Sequence, residues 1–124
     1  MSQPDGFQVP GKEDFVCKLK KSLYGLKQSP RQWYKRFDNY MTQLGYVRSP
    51  YDCCVYQNSP VSGSRIYLVL YVDDMLIVAK NKSDIQKLKG CLSAEFDMKD
   101  LGVARKILGV EIYRDRKQRK LFLS

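Results

Sequence analysis

The 124-residue sequence contains no histidine. That removes Ser-His-Asp and Cys-His catalysis, and every zinc site that needs imidazole. Cysteine is scarce and badly spaced for either a disulfide framework or a metal knuckle. Cys17, Cys53, Cys54 and Cys91 include no C-x-x-C pair, and Cys53 and Cys54 are adjacent. Such usage points to reduced thiols and an intracellular setting. No apolar run exceeds about seven residues, far short of the roughly 20 that cross a bilayer, so no membrane partner is expected. The first residues are polar and interrupted by Pro4 and Gly6, unlike a signal peptide.

What the sequence has in excess is positive charge. Lys and Arg number 22 against 13 Asp and Glu, a net charge of +9. The balance suggests a polyanionic partner, nucleic acid ahead of acidic membrane. Hydrophobic residues make up 44%, a globular composition sufficient for one domain with a modest core.

Along the chain, residues 1–14 carry two prolines and two glycines and read as turns. Phe15 to Leu19 suits a short strand. Eight basic residues lie between Lys12 and Arg36, interleaved with Leu19, Leu23, Tyr24, Leu26 and Trp33. This is either a solvated amphipathic face or a phosphate-contacting surface. Ser29 as N-cap and Pro30 at the first helical position predict a helix over 30–44, with Gly45 as its stop. Trp33, Phe37, Tyr40, Met41 and Leu44 recur at helical spacing as a core stripe. Tyr51–Gln57 reads as a strand and Asn58–Ser64 as a flexible loop. Ser83-x-x-Gln86 fits a capping box for a second helix that presents Ile85, Leu88, Leu92 and Phe96. Lys106–Tyr113 reads as a strand broken by Gly109, a bulge or a place where another backbone approaches closely. Arg114–Gln118 is a charged turn, and Lys120–Leu123 a returning strand. Helix, three strands, helix and strand pair make an α+β fold: one domain, an antiparallel sheet with helices packed on one face.

One stretch stands apart. Ile66 to Val72 and Met75 to Ala79 are short, wholly apolar and rich in β-branched and aromatic residues, as strands buried on both faces would be. Asp73 and Asp74 separate them at hairpin spacing, although neither is the Gly or Asn that a tight turn prefers. Adjacent carboxylates at the end of a buried hairpin repel and resist desolvation, and a divalent cation would compensate them. Paired carboxylates on a fixed turn within a basic chain suit metal-dependent transfer at phosphate.

These residues carry a resemblance. Tyr71-Val72-Asp73-Asp74 resembles the active-site signature of reverse transcriptases in its YVDD form. The segment from Lys18 to Tyr34 (KLKKSLYGLKQSPRQWY) resembles a hallmark of Pol from copia-type LTR retrotransposons, in the style of plant elements. Phe96–Gly102 (FDMKDLG) resembles the segment after the second palm helix, and Ile107–Ile112 (ILGVEI) the primer grip. Four motifs in the family's order cover nearly the whole chain.

The resemblance implies a right-hand polymerase palm and RNA-directed DNA synthesis. Asp73 and Asp74 would be the metal-binding catalytic carboxylates for two Mg²⁺ ions, with Mn²⁺ as an alternative. Tyr71 and Val72 would lie beneath the primer terminus. Tyr24, Gly25, Lys27, Gln28, Ser29 and Pro30 would line the nucleotide pocket and touch the template, although retroviral enzymes carry Gln-Gly where this chain has Tyr24-Gly25. Leu108, Gly109 and Val110 would hold the primer backbone. Lys99 would be a general acid near the leaving pyrophosphate, with Lys106 competing for the role. RNA template, DNA primer, dNTPs and the rest of a Pol polyprotein would be the partners. Cytoplasmic virus-like particles and the nucleus would be the compartments.

The family's third carboxylate precedes a Gln-Pro-x-Gly-Phe stretch, here Gln3–Phe7, which only two residues precede. Asp5, Asp14, Asp52 and Asp97 do not match it. The resemblance therefore implies a partial palm without its first catalytic strand, most of the fingers and thumb, or RNase H. The expectation is a fragment that is inactive alone and leaves an apolar sheet edge open. A non-catalytic nucleic-acid-binding module and a functionless element remnant are the alternatives, the former weakened by the lack of an RNP-like aromatic motif.

Overall fold

The structure is a computed structural model, and it describes residues 1–58 and 63–124. Most of the expected Asn58–Ser64 loop lies outside the described residues. The chain divides into two compact units, Met1–Tyr40 and Met41–Ser124, with the boundary inside the first helix. Each is described by itself.

The first unit is mostly turns before α1 (Ser29–Gln43). Gln3 organises its beginning. Its Nε2 donates to the carbonyls of Lys12 (2.6 Å) and Phe15 (3.0 Å), and its Oε1 accepts from the Val9 amide at 2.9 Å. The strand expected over Phe15–Leu19 does not form. The Cys17 amide donates to the Met1 carbonyl at 2.8 Å, but Phe15 and Val16 stay exposed. With no apolar face to cover, nothing extends that bond into a ladder. Ser29 is not an accepting N-cap either: its hydroxyl donates to the Leu23 carbonyl, and the helix ladder opens with the Gln32 amide on the Gln28 carbonyl at 3.0 Å. Trp33 stacks on Phe37, with centroids 5.4 Å apart and planes at 13°. Phe37 is fully buried, whereas Trp33 remains part-exposed.

The second unit begins with the end of α1. Gly45 takes φ +81. The Tyr46 amide donates to the Met41 carbonyl and the Gly45 amide to that of Thr42, both at 3.0 Å. This pair of bonds is a Schellman cap, so the glycine stop falls where the sequence places it. Four antiparallel strands follow in sheet order: β1 (Val47–Arg48), β2 (Val55–Asn58), β3 (Ile66–Tyr71) and β4 (Asp74–Ala79). β2 starts later than expected because the Asp52 carboxylate accepts from the Cys54 amide at 2.8 Å and holds residues 52–54 in a turn.

β3 is central and alternates. Ile66, Leu68 and Leu70 are buried with Tyr56 of β2, while Tyr67 and Val69 on the other face are half-buried. The expectation of two fully buried faces is therefore corrected. α2 (Lys82–Glu95) packs against β4 and buries Leu88 and Leu92. Each fully buried side chain of this kind contributes about 1.5–3 kcal/mol. The capping box is not formed, because the cap is Asn81, two residues before Ser83. The Asn81 side-chain amide donates to Asp84 (3.1 Å) and Ser64 (3.2 Å) instead.

A second antiparallel sheet holds β5 (Lys106–Ile107), β6 (Val110–Asp115) and β7 (Lys120–Leu123). Lys106–Tyr113 is thus two strands of a hairpin rather than one bulged strand. Leu108 (φ 52) and Gly109 (φ 80) both take left-handed backbone between the paired Ile107 and Val110. That is the signature of a type I′ turn. A Cβ added at Gly109 would meet nothing within 4 Å, so within the chain the glycine serves turn geometry rather than close approach. Two helices and two antiparallel sheets give the α+β class.

Candidate active site

The Asp-Asp hairpin forms, shifted by one residue from its expected register. Tyr71 pairs with Asp74, so the two turn residues are Val72 and Asp73, and Asp74 opens β4. The shift follows from the ladder. The Leu70 amide donates to the carbonyl of Cys54, the residue just before β2, at 2.9 Å, which turns the backbone groups of Tyr71 toward β4. Tyr71 and Asp74 then close the hairpin as a hydrogen-bonded pair. The turn requires φ > 0 at its first position, and Val72 takes it, at φ 51. A β-branched residue there is strained, by roughly 1–2 kcal/mol.

The pleat places Tyr71 and Asp74 on the same face as Tyr67, Val69, Leu76 and Val78, the half-open face of the sheet. Asp73 sits at the tip. Both aspartates are exposed, and neither carboxylate has a hydrogen-bond or ion-pair partner among the described residues. Exposure corrects the expectation of desolvated carboxylates, because the turn projects beyond the buried face. β3, paired on both sides, holds this tip in place. Adjacent hard oxygen donors with no protein partner suit Mg²⁺ or Mn²⁺.

The other candidates occupy three places. In the first unit, Tyr24 and Gly25 form a turn with φ 90 at the glycine and Tyr24 fully exposed. Lys27, Gln28, Ser29 and Pro30 lead from that turn into α1. In the second unit, Leu108 and Gly109 are the β5–β6 turn and Val110 opens β6. Lys99 lies exposed in the segment after α2, and Lys106 in β5 pairs with Glu111.

Sequence reading missed what fixes the Lys99 segment. Lys89 of α2 reaches the Asp100 carboxylate at 2.6 Å, and that carboxylate also accepts the Gly102 amide at 2.8 Å. The Lys89 hydrogen bond foremost, then the Gly102 amide, holds the Asp100 carboxyl below its usual range. The 11-residue separation of Lys89 and Asp100 leaves no periodic signal. All four cysteines are free thiols. Asp52, Cys53 and Cys54 bring ligand atoms within 4.8 Å of one another, but Asp52 already holds the Cys54 amide.

The family model for reverse transcriptase (RNA-dependent DNA polymerase) matches residues 1–124, the whole chain. The chain belongs to the reverse transcriptase family. It is 58% identical, over all 124 residues, to the retrovirus-related Pol polyprotein from transposon TNT 1-94 of Nicotiana tabacum. It is 39% identical over 114 residues, 92% of the chain, to the retrovirus-related Pol polyprotein from transposon RE1 of Arabidopsis thaliana. The transposon Ty1-MR1 Gag-Pol polyprotein of Saccharomyces cerevisiae is 35% identical over 120 residues, 90% of the chain. The chain spans 9%, 8% and 7% of these three relatives, so it corresponds to under a tenth of each polyprotein. No solved structure matches the chain significantly. A reverse transcriptase domain segment of the retrotransposon Pol type is thus what the residues spell. No helix among the described residues is long and apolar enough to cross a membrane.

Proposed function

We propose that this reverse transcriptase segment supplies the carboxylate corner of an RNA-directed DNA polymerase site. The observation that carries the reading is the β3–β4 tip, where Asp73 and Asp74 stand adjacent, exposed and without protein partners on a doubly paired strand. When bound there, a divalent ion lowers the pKa of a primer hydroxyl and neutralises phosphoryl charge. Asp73 and Asp74 hold it. Tyr71 offers an exposed ring beside them on the half-open face, suited to stack beneath the primer terminus. The exposed Tyr24 and Lys27, with Gly25, Gln28, Ser29 and Pro30, supply a ring, a cation and an unshielded turn for an incoming dNTP and the template. Leu108, Gly109 and Val110 present turn backbone to primer phosphates. Lys99, exposed and fixed through its neighbour Asp100, delivers a proton to the leaving pyrophosphate. RNA template, DNA primer and the remainder of a Pol polyprotein complete the assembly, working in cytoplasmic particles and the nucleus.

Two carboxylates are what this hairpin offers, and the isolated chain is expected to bind metal without extending primers. The test pairs Mn²⁺ binding, read by electron paramagnetic resonance, with primer extension on an RNA template. Binding should weaken at least tenfold in Asp73→Asn and in Asp74→Asn, a loss of about 1.4 kcal/mol. Equal Mn²⁺ binding by all three proteins would sink the reading. It would favour a basic nucleic-acid-binding module, a second reading supported by the +9 charge. Incorporation that disappears in Asp73→Asn would overturn inactivity alone.

A further inference from the structure

The connection between β1 and β2 gathers groups that the polymerase reading does not use. Asp52, Cys53 and Cys54 are consecutive, yet a carboxylate oxygen and both sulfurs lie within 4.8 Å of one another. The backbone fold brings them together. The Val55 amide donates to the Asp52 carbonyl at 3.1 Å, and the Cys54 amide to Oδ1 of Asp52 at 2.8 Å. The turn is also tied to its sheet, by the Ser49 amide on the Val55 carbonyl at 2.7 Å and by the Leu70 amide on the Cys54 carbonyl at 2.9 Å. Asp52 and Cys53 are exposed and Cys54 is half-buried, so all three can be reached from solvent. The amide on Oδ1 fixes the carboxylate, as outer hydrogen bonds do for metal-ligating carboxylates, and a carboxylate with about four lone-pair positions is not exhausted by one amide. Burial foremost, then the adjoining Cys53 thiol and Asp52 carboxylate, pushes the Cys54 thiol up, because crowding acidic groups disfavours their anions.

We propose that Asp52, Cys53 and Cys54 form a site for one thiophilic divalent cation of the Zn²⁺ or Cd²⁺ kind, bound by two thiolates and a carboxylate with water in the remaining position. Adjacent cysteines lack the two-residue spacing of a zinc knuckle, and the Asp52 turn supplies the convergence that spacing would otherwise give. Two thiolates on one tetrahedral Zn²⁺ stand roughly 3.8 Å apart, which separations inside 4.8 Å reach by a small adjustment of these side chains. Binding releases the two thiol protons to solvent and changes no oxidation state. The ligand set also fixes the choice of ion. Sulfur donors select thiophilic metals, whereas Asp73 and Asp74 offer oxygen alone and suit hard ions. The two sites therefore draw on different cations, and this one requires nothing of the polymerase reading. Cys17 and Cys91 are free, exposed thiols outside the cluster, so they serve as controls within the same chain.

The experiment is a Cd²⁺ titration of the full 124-residue chain in a phosphine reductant, followed by the thiolate-to-metal charge-transfer absorbance. That band reports sulfur ligation and is blind to Cd²⁺ held by Asp73 and Asp74. The expected result is one Cd²⁺ per chain, displaced by Zn²⁺ and unaffected by excess Mg²⁺. Cys53→Ser and Cys54→Ser should each halve the band and weaken binding at least tenfold. Exchanging Cys17 and Cys91 together for serine should change neither. Asp52→Asn keeps an oxygen for the Cys54 amide and a residue suited to the turn, so it should preserve the band while weakening binding several-fold. Circular dichroism of each variant shows that the fold is retained, and sedimentation confirms that the ion does not bridge two chains. A band that survives Cys53→Ser undiminished would overturn the proposal. So would a band lost in the Cys17 and Cys91 exchange, one abolished by Mg²⁺, a Cd²⁺-induced dimer, or an affinity indifferent to Asp52→Asn.

Discussion

At the residue scale, two positions concentrate the chemistry. Val72 carries a conformational cost that nothing in its surroundings offsets: its φ is 51 and its side chain is 71% exposed. A residue that tolerates left-handed backbone should relieve it. Val72→Asn is expected to stabilise the chain by about 1 kcal/mol, read as a rise in urea midpoint at constant slope. Val72→Gly should gain less, because glycine also loosens the unfolded chain. An unchanged midpoint in both variants would mean that the turn is not strained. Asp100 is the second position. Its carboxyl lies below the ordinary range because Lys89, then the Gly102 amide, favours the charged form. A folded pKa below the unfolded one stabilises the native state above the unfolded value, and that contribution disappears as pH falls through the folded value. Lys89→Ala should move the Asp100 midpoint upward in an NMR titration, because the Lys89 hydrogen bond is the foremost cause of its lowering. The group is solvent-exposed, so the pair's worth lies in fixing the Lys99 segment rather than in global stability.

At the scale of elements, the punctuation marks proved sounder than the polar caps. Gly45 ends α1 through a Schellman pair, and its φ of +81 admits an alanine only with strain. Gly45→Ala should cost about 1–2 kcal/mol in chemical denaturation, with the added Cβ meeting only the Asn58 side-chain nitrogen at an ordinary 3.9 Å. Retention of full stability would place the cap's role elsewhere. The same element shows what was legible. The Phe37 and Met41 stripe, the α2 face of Leu88 and Leu92, and the span of β7 could be read from periodicity and punctuation. The caps at Ser29 and Ser83 could not, because several polar residues near each helix start compete for the same amides. Here Gln28 and Asn81 occupy the cap position. The start of β2 and the β5–β6 hairpin depart from the sequence pattern for a related reason. Asp52 and the Leu108-Gly109 pair make turns whose signals sit inside apolar runs that otherwise read as strand. The carboxylate pair itself was identifiable from residue type, but its register was not. A turn that tolerates φ 51 at a valine is set by the β2–β3 ladder, which no local pattern shows.

At the scale of the whole molecule, the net charge of +9 has to be balanced by a ligand or by salt, and one place gathers much of it. Around the β6–β7 connection stand Arg114, Arg116, Lys117, Arg119 and Lys120, with Asp115 the one acid among them. Asp115 does not neutralise them in the way a helical i,i+4 partner would. Its carboxylate is engaged by the backbone amides of Lys117 and Gln118, both at 2.9 Å, and so shapes the turn that projects the cations. A hairpin tip of this kind suits phosphates in any sequence context. Exchanging Arg116, Lys117 and Arg119 together for alanine should weaken single-stranded RNA binding and lower the slope of log K against log salt by about 2, near 0.7 for each phosphate no longer neutralised. Asp73→Asn removes a negative charge and should leave that slope unchanged while impairing Mn²⁺ binding. Fluorescence anisotropy across a salt series reads the first effect and paramagnetic titration the second. Their separation in the two variants would divide the molecule into a phosphate-tracking surface and a metal-binding tip. A salt slope indifferent to the triple exchange would mean that the hairpin is a solvated charged turn, leaving nucleic-acid attraction to the basic segment between Lys12 and Arg36.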